Sequence, residues 1–276
     1  MKKFILWALA FIITIAAAFY QKHTGPTYPK KLDITLNNKP YKLNLVRSLA
    51  LNEKPEVKLS IADSTIRAKI FYKRFRSEEE YQSADFSYKN IPEGLFAPVP
   101  QQPAAGKIQY YLELTDSKGT HTYLKEKPVV IRFKGGVPSF ILIPHILLMF
   151  TAMLFSTLAG LMSVIKYSLY KKYAVCTLIL FIAGGMILGP IVQYFAFGDF
   201  WTGIPFGWDL TDNKTLIALI FWILAVYMNR KTDRPLYTAI AAFVLLLVFS
   251  IPHSLFGSEL NYGSGQVTQG LIPFFF

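Results

Sequence analysis

Two histidines are the residues whose type and position best suit chemistry in this sequence. His145 and His253 each follow a proline at the edge of an apolar segment. Imidazole binds haem iron and other metals, so two such groups converging on one ion would form a metal site. A histidine at this position also has a structural use, because it can hydrogen-bond to backbone groups that the proline leaves unpaired or extend to water. Both interpretations stay open at the level of sequence.

Between these histidines lies a segment rich in aromatic residues. Residues 195–208 contain six aromatic side chains, including Trp201 and Trp208. Aromatic rings favour the membrane–water interface, so a belt at that depth explains them without a ligand. Residues 211–213 have the types that cap the N-terminus of a helix. The glycines and proline of the segment indicate, in addition, a loop with a defined fold.

The Phe200-Trp201 and Trp208-Asp209 pairs resemble the tryptophan-rich WWD segment of cytochrome c assembly proteins, which are membrane proteins that handle haem. The resemblance covers about residues 195–225. In that family the segment is an external platform for haem, and external histidines ligate the iron. The resemblance therefore implies haem as a cofactor. The residues that it assigns to haem and its iron are Trp201, Trp208, Asp209, His145 and His253.

The sequence contains no recognised catalytic motif. A Walker loop, a G-x-S-x-G elbow, an H-E-x-x-H helix and a C-x-x-C-H haem attachment site are all absent. One cysteine, Cys176, excludes an internal disulfide and a cysteine-based zinc or iron–sulfur site within one chain. We therefore predict a non-enzymatic protein. A membrane enzyme acting on lipid or glycan is the alternative, and it would use the carboxylates of Asp199, Asp209, Asp212 and Glu259.

The composition is that of a membrane protein. Of the 276 residues, 53% are hydrophobic and 17% are charged, whereas soluble domains carry about 25% charged residues. The net charge of +12 would by itself suit nucleic acid. However, 20 of the 29 Lys and Arg residues lie in 21–139, and the other nine stand between apolar runs. This distribution excludes nucleic acid as a partner and predicts a lipid bilayer.

Five apolar segments divide the chain. The first could be either an uncleaved N-terminal membrane anchor or a signal peptide, since Ala16 and Ala18 resemble a cleavage site. No Asp, Glu, Lys or Arg lies inside the other four, which disfavours a pump or transporter. The segments are 4–20, 140–165, 174–197, 215–229 and 235–252.

Basic residues flank alternate ends of these segments. They cluster at 2–3, 166–172 and 230–234. The positive-inside rule places such clusters in the cytoplasm. We therefore predict a multi-pass protein of the inner (cytoplasmic) membrane with a cytoplasmic N-terminus and cytoplasmic loops at 166–173 and 230–234. The parts expected on the periplasmic side are residues 27–135, an aromatic loop at 198–214 and a tail at 255–276.

Residues 27–135 alternate between apolar and polar types. The clearest run is 107–114, where Ile108, Tyr110, Leu112 and Leu114 alternate with Lys107, Gln109, Tyr111 and Glu113. The runs near 66–72 and 129–133 repeat the pattern. Alternation is typical of antiparallel strands with one buried face. About seven strands in this length predict a β-sandwich. The hairpin that starts at Tyr110 and closes at Gly119 resembles those of fibronectin type III and immunoglobulin-like domains.

Small residues recur every four positions in the second and third apolar segments. Ala152, Ser156 and Gly160 form one series, and Gly185 and Gly189 form another. Such spacing lets membrane helices approach closely. We therefore expect a compact four-helix transmembrane bundle over 139–254, preceded by an anchor at 1–21.

The sequence thus predicts a mixed fold, with an immunoglobulin- or fibronectin-III-like sandwich inserted between a membrane helix and a helical bundle. The polar stretch 263–270 predicts an extensible tether in the tail. The expected function is that of a non-enzymatic interaction or assembly subunit of an envelope complex, with other membrane or periplasmic proteins as partners. The alternative is a protein that binds or handles haem, in cytochrome assembly or in membrane electron transfer.

Overall fold

The computed structural model describes residues 2–253, 258–265 and 267–268, and the chain divides into two compact units. The β unit consists of Thr27–Gly136 together with Glu259–Thr268. The helical unit is built from residues 2–26, 137–253 and 258. The chain therefore leaves the β unit, forms the later helices and then enters the β unit again. The fold is mixed α and β, as the sequence predicts.

The main part of the β unit holds eleven strands, more than the seven expected. Several of them are only three or four residues long, and such short strands leave too few residues for an alternating pattern to show. The strands are β1 (Lys30–Leu36), β2 (Lys39–Leu45), β3 (Ser48–Ala50), β4 (Glu56–Leu59), β5 (Arg67–Arg74), β6 (Gln82–Asp85), β7 (Ser87–Asn90), β8 (Glu93–Pro98), β9 (Lys107–Asp116), β10 (Gly119–Tyr123) and β11 (Val129–Lys134).

The largest sheet runs in the order β3–β11–β9–β5–β6, and β10 also pairs with β9. A second sheet has the order β4–β8–β7, and β1 pairs with β2. All pairs are antiparallel except β3 with β11. Buried side chains from all three sheets form one hydrophobic core.

The predicted alternation places the right residues in this core. Ile108, Tyr110, Leu112 and Leu114 of β9 are fully buried, and Ile70 of the paired strand β5 is buried with them. Side chains of a strand point alternately to its two faces, so every second residue of β9 reaches the same core. Burial of this face supplies the main stabilisation of the β unit.

The tail returns to the β unit as a short hairpin, β12 (Glu259–Leu260) with β13 (Val267–Thr268). The Lys107 Nζ lies 2.7 Å from Glu259 Oε2, and both side chains are largely buried. Burial lowers the pKa of Lys107, and its hydrogen bond to Glu259 opposes that shift. The Leu260 N–H donates to the Ala105 carbonyl over 3.1 Å. This part of the tail is therefore a docked hairpin, and the expectation of an extensible tether is wrong for it.

Four helices in the described residues are long and apolar enough to cross a membrane: α1 (Lys2–Thr24), α2 (Ser139–Val164), a continuous helix at Tyr170–Phe197, and α5 (Leu210–Met228). The helix at Tyr170–Phe197 consists of α3 (Tyr170–Phe181), a π-helical segment (Ile182–Leu188) and α4 (Gly189–Phe197). The last apolar segment forms α6 (Pro235–Ser250), which has 16 residues. At 1.5 Å per residue it is about 24 Å long, shorter than the hydrocarbon core of about 30 Å.

Small residues let the helices pack closely, as their spacing predicts. A Cβ added to Gly160 would lie 2.6 Å from the Cβ of Ala242, so α2 and α6 touch at this point. A Cβ on Gly184 would lie 2.9 Å from the Leu148 Cβ, whereas one on Gly189 would meet only ordinary contacts. The close approach in the π-helical segment therefore depends on Gly184, one residue before the predicted pair.

We expect the change Tyr262→Phe to loosen the docked hairpin. The Lys107 N–H donates to the Tyr262 hydroxyl, which in turn donates to the Lys107 carbonyl, each over 3.0 Å. Loss of an acceptor for a buried N–H costs about 1–3 kcal/mol. Hydrogen exchange of the Lys107 amide should therefore accelerate at least tenfold. The matched change Tyr88→Phe removes an exposed hydroxyl and should leave that rate unaltered; equal rates in both variants would contradict the docking.

Candidate ligand-binding site

The helical unit contains a partly open cavity of about 420 Å³. Its wall combines apolar side chains of α1, α2 and α4 with polar side chains near the start of α5. A pocket that is mostly apolar and has a few convergent polar groups is typical of a small-molecule site. This cavity is therefore the candidate site.

Four of the five residues that the sequence singles out line this one cavity. They are His145, Trp201, Asp209 and His253. Trp208 is not among the lining residues, and 75% of its side chain is exposed. The chain thus brings together both histidines and one of the two tryptophans.

The loop after α4 has a defined fold because both of its ends are fixed. Gly198 ends α4 with a φ of 95°, a conformation that favours glycine. Asp209 caps α5, since its Oδ1 accepts from the N–H groups of Thr211 at 2.8 Å and Asp212 at 3.2 Å. The helix therefore begins at Leu210, before the 211–213 stretch whose residue types suggest a cap. An aspartate preceded by an aromatic residue caps equally well, so the local pattern does not separate the two positions.

Asp212 is the central hydrogen-bond acceptor of the loop. Its Oδ2 accepts from the Thr202 N–H at 2.6 Å and from the Gln193 Nε2 at 3.0 Å. Gly203 has no room for a side chain, because an added Cβ would lie 2.6 Å from the Asp212 Cβ. The Ile204 N–H donates to Asn213 Oδ1 over 2.7 Å. The loop is therefore held against the first turn of α5.

Sequence reasoning missed Gln193 and Thr202. It gave Asp212 a capping or loop role, or a place among the carboxylates of the alternative membrane enzyme. Asp212 lies in the predicted loop but is a buried residue of the helix. Gln193 could have revealed this network from the sequence, since it is the one side-chain amide in the apolar segment 170–197. An unpaired amide in an apolar helix needs a partner, and that need points to a polar group in the neighbouring loop.

His145 has a defined tautomer in its neutral form. Its Nδ1 lies 2.9 Å from the carbonyl oxygen of Gly184. A carbonyl oxygen only accepts, so Nδ1 carries the proton and Nε2 carries the lone pair. This contact joins α2 to the π-helical segment, so His145 does not bond to the backbone of its own helix that Pro144 leaves unpaired. The Nε2 atom is therefore suited to accept a hydrogen bond or to bind a metal.

Two further polar residues define the surroundings. Lys214 is 4% exposed, and its Nζ donates to the Ile251 carbonyl over 2.7 Å. His253 follows α6 and has an exposed side chain. Within the described ranges, no group of three or more histidine, cysteine or acidic residues is arranged to hold a metal ion.

A second feature lies on the β unit, on the face of the largest sheet opposite the core. Phe71 and Tyr111 stack with ring centroids 4.8 Å apart, and Tyr81 meets Tyr111 edge-on at 5.0 Å. Lys73 lies 5.1 Å from the ring centroid of Tyr81, and Lys125 lies 6.0 Å from that of Tyr111. We call these five residues the aromatic cluster.

Comparison with models of known protein families and with curated protein sequences gives no match for this chain.

Proposed function

We propose that the chain is an integral protein of a bacterial-type inner membrane, with the N-terminus in the cytoplasm and the β unit in the periplasm. The basic clusters at 2–3, 166–172 and 230–234 support this orientation under the positive-inside rule. The apolar faces of four long helices suit a lipid bilayer.

The return of the chain to the β unit supports four crossings after Gly136. Thr27–Gly136 and Glu259–Thr268 belong to one folded unit, so both must lie on the same side of a membrane. The number of crossings between them must then be even. Three of the helices in this interval reach spanning length, and α6 supplies the fourth crossing although it has only 16 residues. A short span is tolerated where flanking residues extend to the interface or the bilayer thins.

Cysteine labelling tests this topology. In a Cys176→Ala background, Ser117→Cys and Ser264→Cys should react with a membrane-impermeant thiol reagent in intact spheroplasts. Ser168→Cys, in the loop after α2, should react only after the membrane is opened. Protection of residue 264 together with labelling of residue 117 would exclude α6 as a crossing, and the reverse of the whole pattern would invert the orientation.

We further propose that the β unit is an immunoglobulin- or fibronectin-III-like sandwich that binds a partner, and that the protein is a non-enzymatic interaction or assembly subunit of an envelope complex. The observation that carries this proposal is the aromatic cluster. Tyrosine and other aromatic residues are enriched where proteins bind each other. Here the half-buried rings of Phe71 and Tyr81 lie beside the buried Tyr111. Lysines beside the rings favour an acidic partner surface.

Site-specific crosslinking tests the partner surface. A photoreactive amino acid at Tyr81 should give a crosslinked product of defined size in cells, because this half-buried ring belongs to the cluster. The same amino acid at Lys42, an exposed position on β2, is the control. Phe71→Ala should reduce the product at position 81 severalfold. Products of equal yield at both positions would indicate random collision and contradict the proposal.

Haem binding is a second candidate function, and one observation favours it. His145, His253 and Trp201 line the same cavity. The hydrogen bond from His145 to the Gly184 carbonyl leaves its Nε2 free for iron and orients the ring, as partners of ligating histidines do. The resemblance of the loop to haem-handling proteins points to the same cofactor.

An absorption spectrum tests this candidate. The purified protein from haem-replete cells should show a Soret band if haem is bound, and His145→Ala or His253→Ala should shift or remove it. Trp208→Ala serves as a control within the same loop, since that side chain does not line the cavity. A colourless preparation would exclude haem as a resident cofactor.

A further inference from the structure

Several polar side chains of the cavity wall use their donor hydrogens within the fold and keep acceptor atoms available. Three side chains on its wall already use their donor hydrogens within the fold. The bonds are those from Gln193 Nε2 to Thr202 Oγ1 and Asp212 Oδ2, from Trp201 Nε1 to the Ile204 carbonyl, and from His145 Nδ1 to the Gly184 carbonyl.

The atoms that these residues leave over are acceptors. His145 Nε2 and Gln193 Oε1 make no hydrogen bond to any described residue. The same holds for Asp212 Oδ1 and for Asp209 Oδ2, since each carboxylate uses only its other oxygen. The carboxylate of Asp212 fixes the orientation of the Gln193 amide, because a carboxylate only accepts. A ligand that complements these four atoms must therefore supply donors.

The charges of the wall favour a cation. Asp209 and Asp212 are each 5% exposed. In the described part of the chain, neither carboxylate lies within 4.0 Å of a basic nitrogen. The nearby cation Lys214 bonds instead to the Ile251 carbonyl. Asp209 has Lys214 in its electrostatic surroundings, whereas no cation acts on Asp212 in the described residues. A buried carboxylate without a counter-charge is unfavourable, so a positively charged donor beside Asp212 would relieve it. The ring of Trp201 adds a surface to which cations bind.

The rest of the wall is apolar. Met149, Phe150 and Met153 of α2 and Phe249 of α6 line it. Methionine and phenylalanine side chains adapt to hydrocarbon chains of varied shape. The cavity therefore has one polar part and one part suited to a hydrocarbon.

We propose that this cavity binds a primary ammonium group carried on an apolar chain. The three ammonium N–H groups would donate to acceptors among Asp212, Asp209, His145 and Gln193, and the chain would lie along the methionines of α2. Two sources carry a primary ammonium group, a membrane lipid with an ethanolamine head group and a free amine without a chain, and the apolar part of the wall favours the lipid. The inference rests on the membrane location proposed for the helical unit and is independent of the partner bound by the β unit.

Lipid-dependent unfolding of the purified full chain in detergent tests the proposal. Added phosphatidylethanolamine should raise the melting temperature by roughly 5 °C when it is well above its dissociation constant. Phosphatidylcholine keeps the positive charge but has no N–H donor, and phosphatidylglycerol has hydroxyl donors without the charge. Both should give a smaller rise. Equal rises with all three lipids would overturn the proposal.

Free ethanolamine separates the two sources. It carries the ammonium group without a chain and should give no rise at the concentration at which the lipid acts. An equal rise with ethanolamine would assign the cavity to a free amine and overturn the role of the chain.

Variants locate the effect in the cavity. Asp212→Asn should weaken the response to phosphatidylethanolamine at least about tenfold in concentration, since hydrogen bonds to charged groups are worth about 1.5–3 kcal/mol. Asp199→Asn changes an exposed carboxylate of the same loop and should leave the response intact.

If Asp212→Asn does not fold, Met149→Trp, which fills the apolar part of the cavity, must reduce the response instead. An unaltered response in the folded variant overturns the proposal, as does haem in the purified cavity. The cysteine-labelling experiment is independent of these outcomes. If its pattern is as expected, the proposed membrane topology holds even where the ligand proposal fails.

Discussion

The requirement that shapes the helical unit is that polar groups at the ends of apolar helices must be paired within the protein. Hydrocarbon offers them no partners, so each unpaired group is costly. Asp212 meets this need at one end by binding the Thr202 backbone and Gln193. Asn229 meets it at the other end, where its Oδ1 accepts from the Tyr170 hydroxyl at 2.7 Å and from the Arg234 N–H at 2.8 Å. Each helix end thus holds the adjacent loop, and the positions of the loops follow from these two side chains.

The same pairing produces the cavity. Asp212 draws the loop toward α5, and Trp201, next to the bonded Thr202, becomes part of the wall. Because the carboxylate takes up the donors of Gln193 and Thr202, the atoms left over are acceptors. A network that holds a loop therefore also determines which chemistry the adjoining space accepts. This connection makes the ligand preference a property of the fold rather than of one added residue.

The sequence predicts those features that repeat along the chain. Alternation places Leu112 of β9 in the core, and the four-residue spacing places Gly160 against α6. The loop glycines and proline indicate a defined fold, and the prolines draw attention to both histidines. Contacts between distant residues leave no such pattern. Lys107 meets Glu259 across 152 positions, so the docking of the tail hairpin is not readable from either segment alone. The cap at Asp209 was missed for a different reason, since several nearby residues have equally suitable side chains.

The π-helical segment explains why the cavity lies beside His145. An α-helix pairs each carbonyl with an N–H four residues on, whereas a π-helical turn widens that pairing and alters which carbonyls are accessible. Pro190, at the start of α4, has no N–H to donate back to a carbonyl of the π-helical segment. The Gly184 carbonyl there accepts from His145, and the absence of a side chain on Gly184 lets α2 approach closely enough for this bond. π-helical turns are uncommon and are frequent at functional sites. The Gly184 carbonyl therefore accepts from both the Gly189 N–H and His145 Nδ1, so the wider pairing of the π-helical turn and the orientation of the imidazole meet at one atom.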